Sequence, residues 1–560
     1  VPRNAVTATE ADVCLRRCRE SGEEATIRET ATTRMKPAAT SWRRRTLLPT
    51  VLLLLTIVIV AGGGCDGGTP DVGQSGETAT RRAGALRVGI DPITNLDPHF
   101  ATTFSDILLA TQVYDRLIDT DAQMRPQPAL ATSWASEDAR VWSFELRDDV
   151  VFHNGEPFSA EDVVYSIERL RDPEIGSPLV GLFSSVESVE ADGEHAVVFT
   201  LTTPDAEFPA ELSDHHAVIL SHSVDDPKSE WVGTGPFVLE DGITQKGVTL
   251  RRFEEYWRTG DGGEQLPYLD ELSFVVTAGA AARLEALQRG RLDVVGELDP
   301  AQAETVAASG RLRLLTAPSN AFWALHIRCD DGAPGEDPDL RRALAAATDG
   351  AAIAASVRGE LAEPGNGTCV GPAYGPDYLD QAPAVDLDEA RRLLAAAGGD
   401  GLTVELTVPD EGDAPAVAAA WKEQMAAVDV TVDVDLVPAT EYFGDGPGNW
   451  LEVDFGLTDW GTRSTPLTYF ELAYAGGAPF NQSHWADAAF DELVNEIAAT
   501  VDDAERAGLY HQAQTILREQ VPAIVPYMEV TAAGVDAGVT GIELQPIWAR
   551  TRFDTARFAE

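Results

Sequence analysis

The sequence predicts a mixed α/β fold, and three observations carry that prediction. From Leu86 onward, short stretches with period-2 alternation take turns with stretches of helical spacing. No internal repeat of the kind that builds a solenoid or a propeller runs through them. A composition of 44% apolar and 24% charged residues suits a globular chain with a large core. Taken in order, Ala85–Ile90 reads as a short strand entering a Pro/Asn/Asp loop from Asp91 to Pro98. Ser105 to Leu117 carries Ile107, Leu108, Val113 and Leu117 at helical spacing. Trp142, Phe144 and Leu146 alternate with Ser143, Glu145 and Arg147, which predicts a half-buried strand. Ser159 followed by Asp162 is a polar helix entry, and Val163, Val164, Ile167 and Leu170 make its apolar face. Ala196–Leu201, Val248–Arg252 and Leu272–Val276 read as further strands. Helices are predicted over Ala281–Arg289, over Asp339–Thr348 with Asp337 as cap and Pro338 in the first turn, and over Leu387–Ala397 closed by Gly398. A helix near Pro415–Val428, a strand Val430–Val437, a helix Ala488–Ala499 and a long helix Asp502–Gln520 complete the pattern, which excludes all-α and all-β architectures.

Charge narrows the function. The chain has 560 residues, 42 Lys+Arg against 91 Asp+Glu, and a formal net charge of −49. A field this negative repels polyanions, so nucleic acid is not an expected partner. Lysine occurs only at Lys36, Lys228, Lys246 and Lys422, so nearly all positive charge is arginine. The length suggests roughly two to four domains.

Near the N-terminus, Arg43, Arg44 and Arg45 precede an apolar run from Leu47 to Ala61, followed by Gly62-Gly63-Gly64-Cys65 and a Gly/Thr/Ser-rich stretch. At about 15 residues the run is short for a spanning helix, whereas a basic region, an apolar region and small residues together make a secretory signal. Cysteine directly after the small residues resembles a lipobox, in which Cys65 is acylated and becomes the mature N-terminus; Gly62 stands where that pattern prefers Leu or Val. A plain signal peptide and an uncleaved anchor are the alternatives, and all three export the chain. Arg44-Arg45 also resembles a twin-arginine signal. Residues 1–64 are therefore expected to be leader and signal, with Met35 the expected true start, and residues 65–84 a flexible tether.

Of the five cysteines, Cys14 and Cys18 fall in the leader, Cys65 is expected to carry lipid, and Cys329 with Cys369 remain in the body. In an oxidising compartment this last pair is an expected disulfide; closing its loop would stabilise by roughly 4 kcal/mol in the chain-entropy picture. Two unpaired buried thiols are the alternative. No CxxC or Cys/His zinc spacing occurs, and no metal or cofactor is expected.

The stretches Arg125 to Trp134, Trp142 to Arg147 and Phe152 to Val163 resemble the signature region of family 5 extracytoplasmic solute-binding proteins, the dipeptide-, oligopeptide- and nickel-binding components of ABC importers. Other landmarks follow in order: Gly233-Thr234-Gly235-Pro236-Phe237, Tyr256-Trp257, Pro267-Tyr268-Leu269-Asp270, Leu287 to Asp293, and Arg341 to Leu344 with Ala347-Thr348-Asp349. The resemblance runs from about residue 85 to 545. It implies a two-lobed, type II periplasmic-binding-protein-like fold with an extra subdomain in the first lobe. The expected division is 85–119, 221–315 and 526–560 for lobe I, 120–220 for the extra subdomain, and 316–525 for lobe II. A monomer that closes on a solute and delivers it to an ABC permease and ATPase complex is the implied role.

A pocket between lobes is expected to be lined by loops at strand ends, with aromatic walls and a few polar anchors. Two segments fit: Asn320 to His326, with Phe322 and Trp323, and Asp459 to Pro466, with Trp460 and Arg463. In peptide-binding relatives an aspartate three residues after the Trp pairs with the ligand's ammonium group. Arg463 occupies that register here, and a guanidinium binds carboxylate or phosphate instead. A structural ion pair of Arg463 with Asp459 or a neighbouring-loop carboxylate is the alternative. Phe100, Phe104, Tyr374 and Asn481 are further lining candidates. His215, His216 and His222 read as solvated loop histidines, because their spacing matches no usual helical ligand pair. No GxSxG, HExxH or SxxK motif is credibly placed, so no enzymatic activity is expected. A ligand-presenting sensor, or a receptor for a nickel complex, an opine or an oligosaccharide, uses the same fold.

Overall fold

The computed structural model describes residues 84–177, 181–399 and 401–559. The expected leader, the Cys65 acylation site and the tether up to residue 83 lie outside the described residues. In chain order the first strands are β1 (Ala85–Ile90), β2 (Ile118–Thr120), β3 (Pro126–Pro128), β4 (Ala131–Ala135), β5 (Val141–Leu146), β6 (Val186–Ala191) and β7 (Ala196–Leu201). They are followed by β8 (Phe237–Thr244), β9 (Gly247–Arg252), β10 (Glu271–Val276), β11 (Val294–Val295), β12 (Leu312–Ile327) and β13 (Ala362–Gly367). The last are β14 (Thr403–Pro409), β15 (Thr431–Val437), β16 (Phe455–Trp460), β17 (Ala523–Asp536), β18 (Val539–Thr540) and β19 (Arg557–Phe558).

One sheet runs through most of the protein in the order β15-β14-β16-β12-β17-β11-β1-β10-β9-β8, with β13 also paired to β17. Toward one end β1 lies parallel to β10, with β9 and β8 antiparallel beyond it, and at the other end β14 lies parallel to β15, while β12 and β17 in the middle are antiparallel. The middle is made by β12 and β17. Their register runs from Leu312↔Asp536 to Pro318↔Val530, breaks, and resumes at Phe322↔Met528 and Leu325↔Ile524. Pro318 has no N–H to offer the ladder, and the break that follows lifts Ser319, Asn320 and Ala321 out of pairing with β17.

Hydrophobic burial divides along the same line. Leu86, Val88, Leu108, Leu250, Leu272 and Phe274 belong to one core at the β1 end. Val404, Leu406, Val408, Trp421 and Leu457 belong to another at the β14 end. Each fully buried Leu or Val in either core contributes roughly 1.5–3 kcal/mol relative to exposure. Apart from both, β4, β5, β7 and β6 form a four-stranded antiparallel sheet around Phe144, Phe152, Phe199 and Phe208. In β5 the faces alternate strictly, with Trp142, Phe144 and Leu146 buried, as the period-2 reading predicts.

The longer helices mostly agree with the sequence patterns, although those patterns predict neither Pro300–Ala307 nor Gly350–Val357. They are α1 (Phe104–Val113), α2 (Ala160–Arg171), α3 (Ala280–Gln288), α4 (Pro300–Ala307), α5 (Pro338–Ala346), α6 (Gly350–Val357), α7 (Leu387–Ala396), α8 (Ala414–Ala426), α9 (Ala488–Ala499) and α10 (Asp503–Gln520). At the start of α2, Asp162 accepts from Ser159 N at 2.8 Å, and its other oxygen accepts from His222 N, so one buried carboxylate caps the helix and fixes a remote loop. Asp337 caps α5 by accepting from Asp339 N, with Pro338 at the first helical position. The first helix stops at Val113 rather than Leu117 because Tyr114 takes an extended backbone. Among the described residues no helix is long and apolar enough to cross a membrane.

Candidate functional site

β12 and β16 pair antiparallel with Phe322 opposite Trp460 and Trp323 opposite Asp459, which brings both predicted segments side by side. Strand alternation then sorts them. Phe322 and Trp460 share one face with Tyr374, Tyr469 and Met528. Trp323 belongs to the opposite face, buried in the core beside Gly412, where a Cβ would meet its ring at 2.7 Å.

Beyond the end of β16 the chain is held by tyrosines. Tyr469 Oη lies 2.9 Å from the carbonyl oxygens of Asn320 and Gly461 and accepts from Arg463 N at 3.1 Å. Tyr374 Oη donates to the Arg463 carbonyl at 2.9 Å, and Ser319 Oγ meets Thr462 Oγ1 at 2.9 Å. The Tyr469 ring lies 5.3 Å from Phe322, 6.0 Å from Trp460 and 6.4 Å from Tyr374, centroid to centroid. These bonds fix the backbone on both sides of the register break and leave the Arg463 side chain to other work.

Three side chains here have buried polar atoms with no hydrogen-bond partner among the described residues: both amide atoms of Asn320, the indole N–H of Trp460 and Nε of Arg463. Leaving such groups unmade costs about 1–3 kcal/mol each. Asn320 is 0% exposed, and it fits only because Gly371 lacks a Cβ, which would stand 2.4 Å from Asn320 Oδ1. The Arg463 guanidinium forms no ion pair among the described residues, although its charge opposes the burial that raises the Asp459 carboxyl. Glu529, across the sheet, is pushed up to about 7 by burial against the pull of Arg358. The arrangement therefore offers one guanidinium, one amide and one indole N–H to an incoming polar group.

The remaining candidates are placed elsewhere. Asn481 donates from Nδ2 to the carbonyls of Ala475 and Trp485 and accepts from Ser483 Oγ, so its amide is used in holding its own loop. Phe100 lies in the turn Pro98–Phe100, with Arg169 and Lys228 each 5.9 Å from its ring. Phe104 opens α1 and is 48% exposed. The disulfide expected between Cys329 and Cys369 is not formed: both are free thiols. Cys329 Sγ donates to the Ile327 carbonyl, and burial pushes its thiol up to about 11.

His215 and His216 are not the solvated loop residues expected. Their rings lie 4.0 Å apart beside Asp214, whose Oδ1 is 2.8 Å from His216 Nδ1, and burial holds His215 down to about 3. The three side chains are close enough to share an ion, but the charges of Arg550 and Arg116 act on His215 in the direction that repels a cation. His222 instead pairs with Asp162, Nδ1 to Oδ1 at 2.7 Å, which raises it.

Sequence reading missed Tyr469, Gly371 and Met124. Met124 sits at the tip between β2 and β3 with φ of 59° and is buried with Phe322, Tyr374 and Trp460. Tyr469 carries a weak local signal, an aromatic in the turn opened by Pro466; Gly371 and Met124 carry none, because their contacts are with residues far along the chain.

Comparison with known proteins agrees on one family. Residues 125–481 match the family described as "Bacterial extracellular solute-binding proteins, family 5 Middle". Over 491 residues the chain is 27% identical to the probable ABC transporter periplasmic-binding protein SapA of Escherichia coli, covering 80% of this chain and 87% of SapA. It is 27% identical over 467 residues to di/tripeptide-binding protein 2 of Pseudomonas aeruginosa, covering 76% and 85% of the two chains. In structure it resembles the unliganded open form of the murein tripeptide-binding protein MppA, with a TM-score of 0.74 at 20% identity over 85% of this chain and 98% of that one.

Proposed function

The chain belongs to the bacterial extracellular solute-binding proteins of family 5, and on that premise we propose that it is the receptor of an ABC importer for a peptide or peptide-like solute that presents an anionic group. The proposed lobes are residues 85–119, 221–315 and 526–560 on one side and 316–525 on the other, with 120–220 as the extra subdomain. The separate cores at the β1 and β14 ends support that division. A ligand touching both lobes stabilises the closed form, and a permease and ATPase complex then receives the solute. Names of similar proteins, among them the di/tripeptide-binding protein of Pseudomonas aeruginosa, support a peptide.

The observation that carries the ligand assignment is Arg463, whose guanidinium makes no ion pair and whose buried Nε has no hydrogen-bond partner among the described residues; the family resemblance implies an aspartate at this register in peptide-binding relatives. Its planar fork suits a carboxylate. A peptide engaging it would present its C-terminal carboxylate there and its amide groups to Asn320. An anionic non-peptide solute is a second reading that the same guanidinium favours. Outside the cell the protein is proposed to be tethered through acylated Cys65, to act as a monomer and to perform no bond chemistry.

Native mass spectrometry of protein purified without refolding tests this directly. A co-purifying ligand with a free carboxylate, displaced by millimolar di- and tripeptides, is expected. A cationic or uncharged ligand, or turnover of the peptides, would sink the proposal.

A further inference from the structure

The four-stranded sheet subdomain does not stand clear of the β14 end of the molecule; it is clasped to it. Glu207 precedes the short helix Phe208–Glu211 and is 7% exposed. Its neighbour Phe208 is anchored in the subdomain core, 5.1 Å from the ring of Phe199. Glu207 Oε2 accepts from Tyr510 Oη at 2.6 Å, and Oε1 lies 3.5 Å from Arg506 Nε, both on α10. Alongside, Ala206 N donates to the Ala498 carbonyl at 2.7 Å. Tyr510 belongs to the separate cluster of Phe322 and Trp460, its ring 5.8 Å from Phe470. A buried hydrogen bond, an ion pair and a backbone bond thus cross between two separate cores at one place.

The charges at that place do not balance. From the subdomain come Asp205, whose Oδ1 accepts from Glu207 N, and Glu207 itself. Facing them are Asp377, the phenols of Tyr374 and Tyr510 and, at the exposed rim, Glu471 and Asp503; among the described residues the cation there is Arg506, which also pairs with Asp503 at 2.7 Å. Nothing in the family signature requires this arrangement, and the ligand reading above does not use it.

We propose that this clasp makes closure of the two halves proton-linked, with acid favouring the joined form and neutral to alkaline pH favouring separation. Glu207 is buried and Asp205 and Asp377 are half-buried while the halves are joined; when they part, each regains water. Burial, opposed by the hydrogen bond to Glu207 N and reinforced by the charges of Glu207 and Glu471, pushes Asp205 up to about 7. Burial and the charge of Glu207 push Asp377 up to about 7. In the separated form these groups release their protons near the ordinary carboxylate value, about 4. The joined form therefore binds more protons, its advantage is complete below about pH 4, falls as pH rises toward about 7, and is level above that. For an exported receptor this couples solute retention to the acidity outside the cell.

Small-angle X-ray scattering of the ligand-free full chain between pH 5 and pH 8 tests the proposal without reference to the solute. The joined-to-separated ratio is expected to fall by roughly a hundredfold for each of the two carboxyls over that range. The double variant Asp205→Asn with Asp377→Asn, which keeps shape but cannot ionise, should cut the change to under about threefold. Tyr510→Phe should shift the protein toward the separated form at every pH, with circular dichroism confirming that it folds; if it does not fold, the asparagine pair decides alone. A radius of gyration independent of pH in the wild type, or an unaltered pH response in the asparagine pair, would overturn the inference.

Discussion

The hydroxyl of Tyr469 lies 2.9 Å from the carbonyl oxygen of Asn320, and through that contact a turn after β16 holds the register break of β12 in place. The same oxygen reaches Gly461 and accepts from Arg463 N, so one phenol serves three backbone groups that the sheet leaves unpaired. Tyr469→Phe keeps the ring packing and removes all of this. It is expected to lower stability by about 1–3 kcal/mol, read by urea unfolding, and to weaken ligand binding by about tenfold. A variant with wild-type unfolding and affinity would show that the phenol does not organise the site.

Gly371→Ala tests the neighbouring amide. The backbone at Gly371 has φ of −105°, which any residue adopts, so the consequence is purely steric. The new methyl would stand 2.4 Å from Asn320 Oδ1 and 2.9 Å from Met528 Cγ. Displacing Asn320 is expected to reduce affinity at least fivefold in calorimetric titration, and Asn320→Ala in the same background should restore the fit without restoring binding.

Arg463→Ala should discriminate between ligands. Loss of a charge-assisted fork costs about 2 kcal/mol toward a carboxylate, or roughly thirtyfold in affinity, while an amidated analogue should lose only a few-fold. Equal losses for both would assign Arg463 to structure rather than recognition.

His326 predicts an acid sensitivity. It is 2% exposed, neither ring nitrogen has a partner among the described residues, and burial alone lowers it to about 3. Its folded value is depressed below the ordinary 6.5, so the unfolded chain binds the extra proton. The contribution is present above about pH 6.5 and is lost as pH falls from there toward about 3, at about 1.4 kcal/mol per pH unit. His326→Phe, stacked against Tyr474 in its place, should flatten the thermal midpoint between pH 6.5 and pH 4 relative to the wild type. An unchanged slope would show that the imidazole gains a proton or a partner within the fold.

Much of this architecture was legible in local pattern. β1, β7 and α9 appear with the boundaries their spacing predicts, and Asp337 and Pro338 open α5 as their chemistry requires. The two longest strands were not legible. β17 and the second half of β12 are covered on both faces, so period-2 alternation is absent there and their apolar runs look like any buried segment. In the candidate site, the segments from Asn320 to His326 and from Asp459 to Pro466 were each legible from the sequence, whereas their antiparallel pairing and the face of Trp323 needed the strand phase, and a phase error of one residue inverts it. The thiols Cys329 and Cys369 show the limit of compartment arguments, which say where a bond is permitted and not whether two side chains meet.

Since β12 and β17 each contribute hydrogen bonds toward both ends of one sheet, neither half can melt without fraying the ladder that supports the other. Heating should therefore give a single calorimetric peak, whose enthalpy matches the van't Hoff value, despite the separate cores. Evolutionary shuffling of either half alone would face the same obstacle, because cutting at any loop leaves one of these strands exposed as a bare edge.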